Sequence, residues 1–408
     1  MNTTKDPVWR TALSGAQILF VAFGATVLVP LLTGLNPSLA LLGAGVGTLI
    51  FQLCTKREVP IYLGSSFAFI APIIYSVQTW GMPATLGALA SASFFYYVAA
   101  GLVKWRGIGF IHRLLPPVVI GPVVMVIGLG LAQVAVSMAT GKAGDTQVVP
   151  YDTAIAIAAI SLLATMLTAI RAKGLLKLVP ILVGVAVGYV VSLLFGIVDF
   201  SKLSEAAWIA LPELGKPEFN LAAILFMIPV AIAPIVEHVG GVLAIGSVSG
   251  KDYTASPGLH RTLFGDGLAV NIVSLFGGPP VTTYGEVTGA VMLTHNYNPV
   301  VMTWAAGFAI LMAFVGKFGA LLQTIPMPVM GGIMVLLFGS IAGIGLKTLM
   351  DAKVNLASAR NLCIVSVTLV TGIGGLGVNI GSFSLQGISL CGVLAVLLNL
   401  LLPDEPKH

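Results

Sequence analysis

Apolar runs, each close to the length of a membrane-crossing helix, alternate with short polar joints along the whole chain. They occupy roughly 12–32, 38–54, 83–103, 115–137, 151–170, 178–198, 220–247, 262–278, 298–322, 327–346, 361–378 and 386–402. About twenty residues in a helix cross the hydrocarbon of a bilayer, with some tolerance for tilt and breaks. These twelve runs therefore predict twelve spans. Two further apolar stretches, 61–75 and 280–294, are short, and Pro and Gly flank or interrupt them. Counted as broken spans, they bring the prediction to fourteen.

Charge placement favours fourteen. With an N-terminus on the inner side, sixteen of the twenty Lys and Arg residues fall in inner joints, Lys5 and Lys407 among them. Only Lys142, Lys202, Lys216 and Lys317 fall outside or near outer ends. Cytoplasmic loops of membrane proteins carry such an excess. Dropping either broken span would invert part of the chain and scatter the bias.

Composition agrees. Hydrophobic residues make up 57% of the 408 positions and charged residues 9%, with a mean hydropathy of +1.02. A soluble domain carries about 25% charged residues to wet its surface, so this chain is read as one polytopic, membrane-embedded unit. The net charge of +5 does not indicate a nucleic-acid binder, because the basic residues are scattered and do not cluster on one solvated face. Cys54, Cys363 and Cys391 lie in or beside apolar segments, with no spacing that suggests a disulfide framework or metal site. Met1 to Arg10 is short and polar, which predicts no cleaved leader.

The chain is weakly duplicated. Leu115-Pro116-Pro117-Val118-Val119-Ile120-Gly121 opens the fifth span, and Pro326-Met327-Pro328-Val329-Met330-Gly331-Gly332 opens the twelfth. At an offset of 211, Pro117 meets Pro328, Val118 meets Val329, Gly121 meets Gly332 and Gly128 meets Gly339. Two halves of seven crossings enter from opposite sides, the inverted-repeat layout of many secondary transporters. The broken spans are the third of each half. Each reads as an extended stretch passing into a short helix, through Val59–Phe69 and Pro280–Glu286. Extended backbone is tolerated in a membrane only where protein or a cavity satisfies it. The two strands are therefore expected to pair and leave two half-helix N-termini aimed into a cavity, where free N–H groups bind acceptor atoms.

Ionisable residues inside the hydrocarbon are costly and mark binding sites or relays. Glu237 lies within the eighth span, Glu286 in the broken tenth, and Asp266 early in the ninth between Gly265 and Gly267. Interfacial placement or plain helix packing is the competing reading, and it weighs most for Asp266. Phe69 and Tyr284 are placed to sandwich a flat ring, with ordinary packing as the alternative. There is no nucleotide loop, metal cluster or nucleophile–base–acid set. That argues against an enzyme, a cofactor or an ATP-driven pump.

The runs Phe23-Gly24-Ala25-Thr26-Val27-Leu28-Val29-Pro30, Leu63-Gly64-Ser65-Ser66-Phe67-Ala68-Phe69-Ile70-Ala71-Pro72, Glu237-His238-Val239-Gly240 and Thr282-Thr283-Tyr284-Gly285-Glu286 resemble the nucleobase–ascorbate transporter family (nucleobase:cation symporter 2). The likeness runs from about Ala16 to Leu402 and points to the family's bacterial, uracil-carrying branch. It implies an all-α polytopic protein of fourteen segments in two inverted seven-segment repeats, with short antiparallel strands in segments 3 and 10. It also implies a core domain, 12–108 and 220–323 (segments 1–4 and 8–11), moving against a gate domain, 109–219 and 324–402 (segments 5–7 and 12–14). Carried over residue by residue, Glu237 and Glu286 would accept ring N–H groups of the base. Backbone at Phe69 and Gly285 would meet its carbonyls and ring nitrogen, and Tyr284 would line the ring. Glu237, His238 and Asp266 are the proton-coupling candidates. The implied function is proton-coupled nucleobase uptake, uracil:H⁺ symport above all, by an elevator motion. The expected setting is a homodimer formed through the gate domain in the bacterial inner membrane, with both termini cytoplasmic.

The sequence departs from the family pattern in four places. Gly241 stands where a second histidine is usual, Gln17-Ile18 replaces a Gln-His pair, and Phe338 replaces a gate-side tyrosine. Asp266 replaces an asparagine common in uracil carriers. A less polar cavity leaves xanthine or a 5-substituted pyrimidine as alternatives, and Na⁺ as an alternative coupling ion. An anion carrier of the same architecture is the more distant reading. Two carboxylates in one cavity would repel an anion.

Overall fold

A computed structural model describes residues 7–107, 109, 113–144, 146–380 and 383–403. Lys5 and Lys407 lie outside the described residues.

The first half opens with α1 (Val8–Thr33) and α2 (Pro37–Cys54). Asn36 caps α2 by accepting from the Ser38 amide at 2.8 Å, and Pro37 sits in the first turn, where no N–H is needed. The chain then runs extended through β1 (Leu63–Ser65), tightens into a 3₁₀ turn at Phe67–Phe69 and enters α3 (Ile70–Arg106). Gly81, with φ 82° and ψ 167°, breaks α3 in two. The piece before it is the helical half of the third segment, and the piece after it is the fourth span. The fifth span is α4 (Pro117–Leu129) and α5 (Ala132–Ala139), followed by a hairpin of β2 (Lys142–Ala143) and β3 (Thr146–Gln147). Next come α6 (Tyr151–Arg171), a 3₁₀ segment Gly174–Leu178 and α7 (Pro180–Leu194).

The short α8 (Ser201–Glu205) lies in the connection to the second half. There α9 (Leu221–Met227), a 3₁₀ turn and α10 (Ile232–Ser249) form one broken span of 29 residues. After α11 (Leu259–Leu275) come β4 (Val281–Thr283) and α12 (Gly285–Thr294), the tenth segment. The chain closes with α13 (Pro299–Ala313), α14 (Gly316–Gln323), α15 (Met327–Asp351), α16 (Ala359–Ile373), the hairpin β5 (Gly377–Ile380)–β6 (Phe383–Gln386) and α17 (Gly387–Leu401). The fourteen expected segments are all present. The apolar run 298–322 is not one helix, however. It breaks at Val315, whose extended backbone bridges Ile209, so the span ends with α13. The two hairpins between spans were not expected from the sequence.

Helices pack in two groups. One joins α3 to α11, α2 to α11 and α13, and α1 to α13; the other joins α15 to α4, α5 and α6, and α16 to α4 and α17. In the second group the backbones nearly touch. A methyl on Gly128 would sit 2.3 Å from the Phe338 carbonyl oxygen, and one on Gly345 2.5 Å from that of Gly121. Between membrane helices, small residues permit this approach and dispersion takes the place of the hydrophobic effect. The duplicated motif is partly explained by it. Gly332, the counterpart of Gly121, is pressed to 2.2 Å from the Ala158 carbonyl in the same sense, whereas Gly339 meets nothing within 4 Å.

The expected strand pair forms at the centre. β1 and β4 run antiparallel, with Leu63 opposite Thr283, Gly64 opposite Thr282 and Ser65 opposite Val281. All six residues are buried, so their outer edges need partners. Neighbouring helices supply them. Thr48 of α2 receives the Leu63 amide at 2.9 Å, Gln52 donates to the Val59 carbonyl at 2.8 Å, and Ser65 Oγ donates to the Thr26 carbonyl at 2.8 Å.

Candidate substrate site

The strand pair delivers two helix beginnings to one place. The 3₁₀ turn that starts at Phe67 and the helix that starts at Gly285 both lack a capping side chain. Their first amides therefore present donors and a positive dipole end. Tyr284, the residue before α12, is fixed twice: its hydroxyl donates to the Ser65 carbonyl at 2.9 Å, and its amide donates to the Tyr62 carbonyl at 3.4 Å. Its ring lies flat over Gly64, where a methyl would fall 2.4 Å from Cζ. A side chain at position 64 would displace the ring, so glycine is required there.

Glu286, in the first turn of α12, and Glu237, in α10, are both half-buried, whereas their neighbours Val287 and Val236 are fully buried. Glu237 is within electrostatic reach of both Glu286 and Asp266, and one of its carboxylate oxygens, Oε2, has no protein partner. Glu286 lines an opening of about 200 Å³ bounded by Phe20 and Val21 of α1, Gly289 of α12 and Lys177 with Pro180 at the start of α7. The opening lies between α1 and α12 on one side and the 3₁₀ segment Gly174–Leu178 with α7 on the other. Lys177 is the one cation along it.

His238 follows Glu237 but points elsewhere, because successive helical residues are about 100° apart. Its Nδ1 is 3.1 Å from Asp266 Oδ2, both side chains are wholly buried, and Phe51 meets the imidazole edge-on at 6.1 Å between centroids. The two carry opposite charges only when the imidazole is protonated. Tyr96 is close to Asp266 and Glu237, and its hydroxyl has no protein partner.

The aromatic expectations divide. Tyr284 does have a parallel ring facing it, but the partner is Phe67, at 6.4 Å and 3°. Phe69 is completely buried, so what it offers the site is backbone. Phe338 of α15 stands edge-on to Phe67 at 6.1 Å, which brings the second helix group up to the site. Gly241 faces β4, and a methyl there would lie 2.8 Å from Thr283 Oγ1. Sequence reasoning missed Phe67 and Lys177. The 3₁₀ turn, at three residues per turn, could have separated Phe67 from Phe69; nothing local marks Lys177, which comes from the other helix group.

Residues 10–381 match the profile of the Permease family (Xan_ur_permease). The chain belongs to that family. A protein of Pasteurella multocida (strain Pm70) named probable uracil permease is 57% identical over 394 residues, covering 97% of this chain and 94% of its own. A Haemophilus influenzae protein of the same name is 57% identical over 399 residues, covering 98% and 96%. Among solved structures, the transmembrane domain of a cyanobacterial bicarbonate transporter, BicA, superposes with a TM-score of 0.69 at 16% identity over 98% of each chain. This permease thus shares a fourteen-segment inverted-repeat fold with an anion carrier. Fold alone does not choose the cargo; the residues at the strand crossing must.

Proposed function

We propose that this permease takes up uracil across the bacterial cytoplasmic membrane, driven by the proton gradient. The observation that carries the reading is the pairing of Glu237 and Glu286 at the crossing of β1 and β4. An anion carrier needs donors alone at that point. A nucleobase presents ring N–H donors and carbonyl acceptors together, and carboxylates beside uncapped amides answer both. Glu237 and Glu286 accept from the ring, amides at Phe69 and Gly285 meet the carbonyls, and Tyr284 lines the ring. Phe338 closes the gate-side wall.

Segments 1–4 and 8–11 then slide as a core past a gate of segments 5–7 and 12–14, and dimers form through the gate. The opening beside Lys177 serves as the path between the site and the cytoplasm. Glu237 exchanges the coupling proton, with His238 and Asp266 supporting it from behind. The test is uptake into proteoliposomes of labelled uracil, thymine, xanthine and bicarbonate, under separately imposed H⁺ and Na⁺ gradients. Uracil accumulation under the H⁺ gradient alone is expected. Accumulation driven only by Na⁺, or transport of bicarbonate in preference to uracil, overturns the reading.

A further inference from the structure

A second cavity, of about 460 Å³, opens at the basic end of the molecule, away from the strand crossing. It lies where the end of α3 meets the start of α11, with the last residue of α2 at its edge. Lys104, His260 and Arg261 surround it, and no carboxylate is among its lining residues. Among the described residues neither Lys104 nor Arg261 has an acidic partner; Arg261 reaches only the Cys54 carbonyl, at 3.5 Å. Two cations, Lys104 and Arg261, line one cavity beside His260 without a counter-charge and repel one another. The arrangement is sustained when an anion sits between them.

The other walls are apolar. Tyr97 and Phe264 pack ring against ring at 5.4 Å, and Gly101 leaves the α3 side open, since a methyl there would meet nothing within 4 Å. Phe264 is 46% exposed and Trp105, beside Lys104, 74% exposed. Arg106 lies over the Trp105 ring at 4.5 Å. Exposed aromatics at a helix end next to Lys and Arg mark the level of lipid headgroups. A cavity charged at the interface and apolar toward the bilayer matches one molecule with a phosphate at one end and acyl chains at the other.

We propose that this cavity holds an anionic phospholipid, its phosphate between Lys104, His260 and Arg261 and an acyl chain along Phe264 and Tyr97. Basic pockets between membrane helices bind such headgroups, and each Lys or Arg near the surface strengthens the attraction. The lipid would bridge α3 and α11.

Native mass spectrometry of the full chain in detergent, titrated with phosphatidylglycerol, phosphatidylcholine or inorganic phosphate, tests this. Phosphatidylglycerol should bind in preference to phosphatidylcholine. Lys104→Gln and Arg261→Gln should each weaken it about five-fold, and together about twenty-five-fold. Lys56→Gln with Lys251→Gln, at the same end but outside the cavity, should leave it unchanged. Equal loss in that control means diffuse surface charge and overturns the site; inorganic phosphate binding as tightly as the lipid overturns the lipid. In the unaltered protein, a phosphatidylglycerol with a photoreactive acyl chain should label peptides spanning 97–106 or 259–264. Labelling confined to other segments rejects the proposal without reliance on any variant.

Discussion

Gly64→Ala places one methyl group where the site has no room for it. The new Cβ would lie 2.4 Å from Tyr284 Cζ, 2.5 Å from Cε2 and 2.9 Å from Thr26 Oγ1. The ring cannot swing aside freely, because its hydroxyl is bound to the Ser65 carbonyl and Phe67 faces it in parallel. Overpacking of this kind costs about 1–3 kcal/mol, and the strained hydrogen bond about 0.5–1.5 kcal/mol more. The loss of stability should therefore be roughly 1.5–4.5 kcal/mol. Tyr284 leads directly into Gly285 and Glu286, so restoring the binding geometry calls on the same energy. That bounds the loss of uracil affinity at roughly ten- to two-thousand-fold. Equilibrium binding of labelled uracil, with thermal unfolding alongside, measures both. Tyr284→Leu removes the obstructing ring, so Gly64→Ala should cost little in that background, a clear departure from additivity. Wild-type affinity in Gly64→Ala, or simple additivity in the double variant, would refute the reasoning.

Four further outcomes follow from the structure. Glu286→Gln should lower uracil affinity about ten- to a hundred-fold, since a hydrogen bond to a charged group contributes about 1.5–3 kcal/mol. Glu237→Gln should retain much of the binding but lose proton-driven accumulation; normal accumulation across pH 5 to 8 would take the proton off Glu237. Asp266→Asn, which leaves His238 facing a neutral amide, should reduce transport far more than equilibrium binding, and equal losses would place Asp266 in contact with the base. Cysteines at Ser201 and Ala357, both exposed, should react with an impermeant thiol reagent from opposite faces of the membrane. Ala357 is the better probe of its loop because Ser358 is buried as the cap of α16.

The fourteen segments could be read from the sequence because a bilayer demands long apolar runs and leaves little freedom in how they are built. The broken third and tenth segments were legible for the opposite reason: their apolar stretches are too short to span as one helix, and Pro and Gly interrupt them. Glu237 and Glu286 stood out because ionised groups are rare in hydrocarbon. What stayed hidden depends on angles. Whether Phe67 or Phe69 faces Tyr284 is decided by the pitch of a single 3₁₀ turn, and hydropathy is the same for either. His238 follows Glu237 in sequence yet finds Asp266 on another helix, a partnership set by how α10 and α11 are rotated. Lys177 reaches the opening beside Glu286 from the 3₁₀ segment before α7, and no local pattern announces a neighbour that packing brings from so far away.

The pairing of β1 with β4 also constrains motion. Each strand belongs to a different repeat, yet their hydrogen bonds lock the two helix beginnings at a fixed separation and orientation. Whatever displacement carries the site from one face of the membrane to the other, those two beginnings travel as one piece, and the gap between them cannot breathe to let cargo through. Under the proposed motion of core against gate, the whole cradle would move with its passenger aboard, and the surfaces that slide past it would keep the membrane barrier.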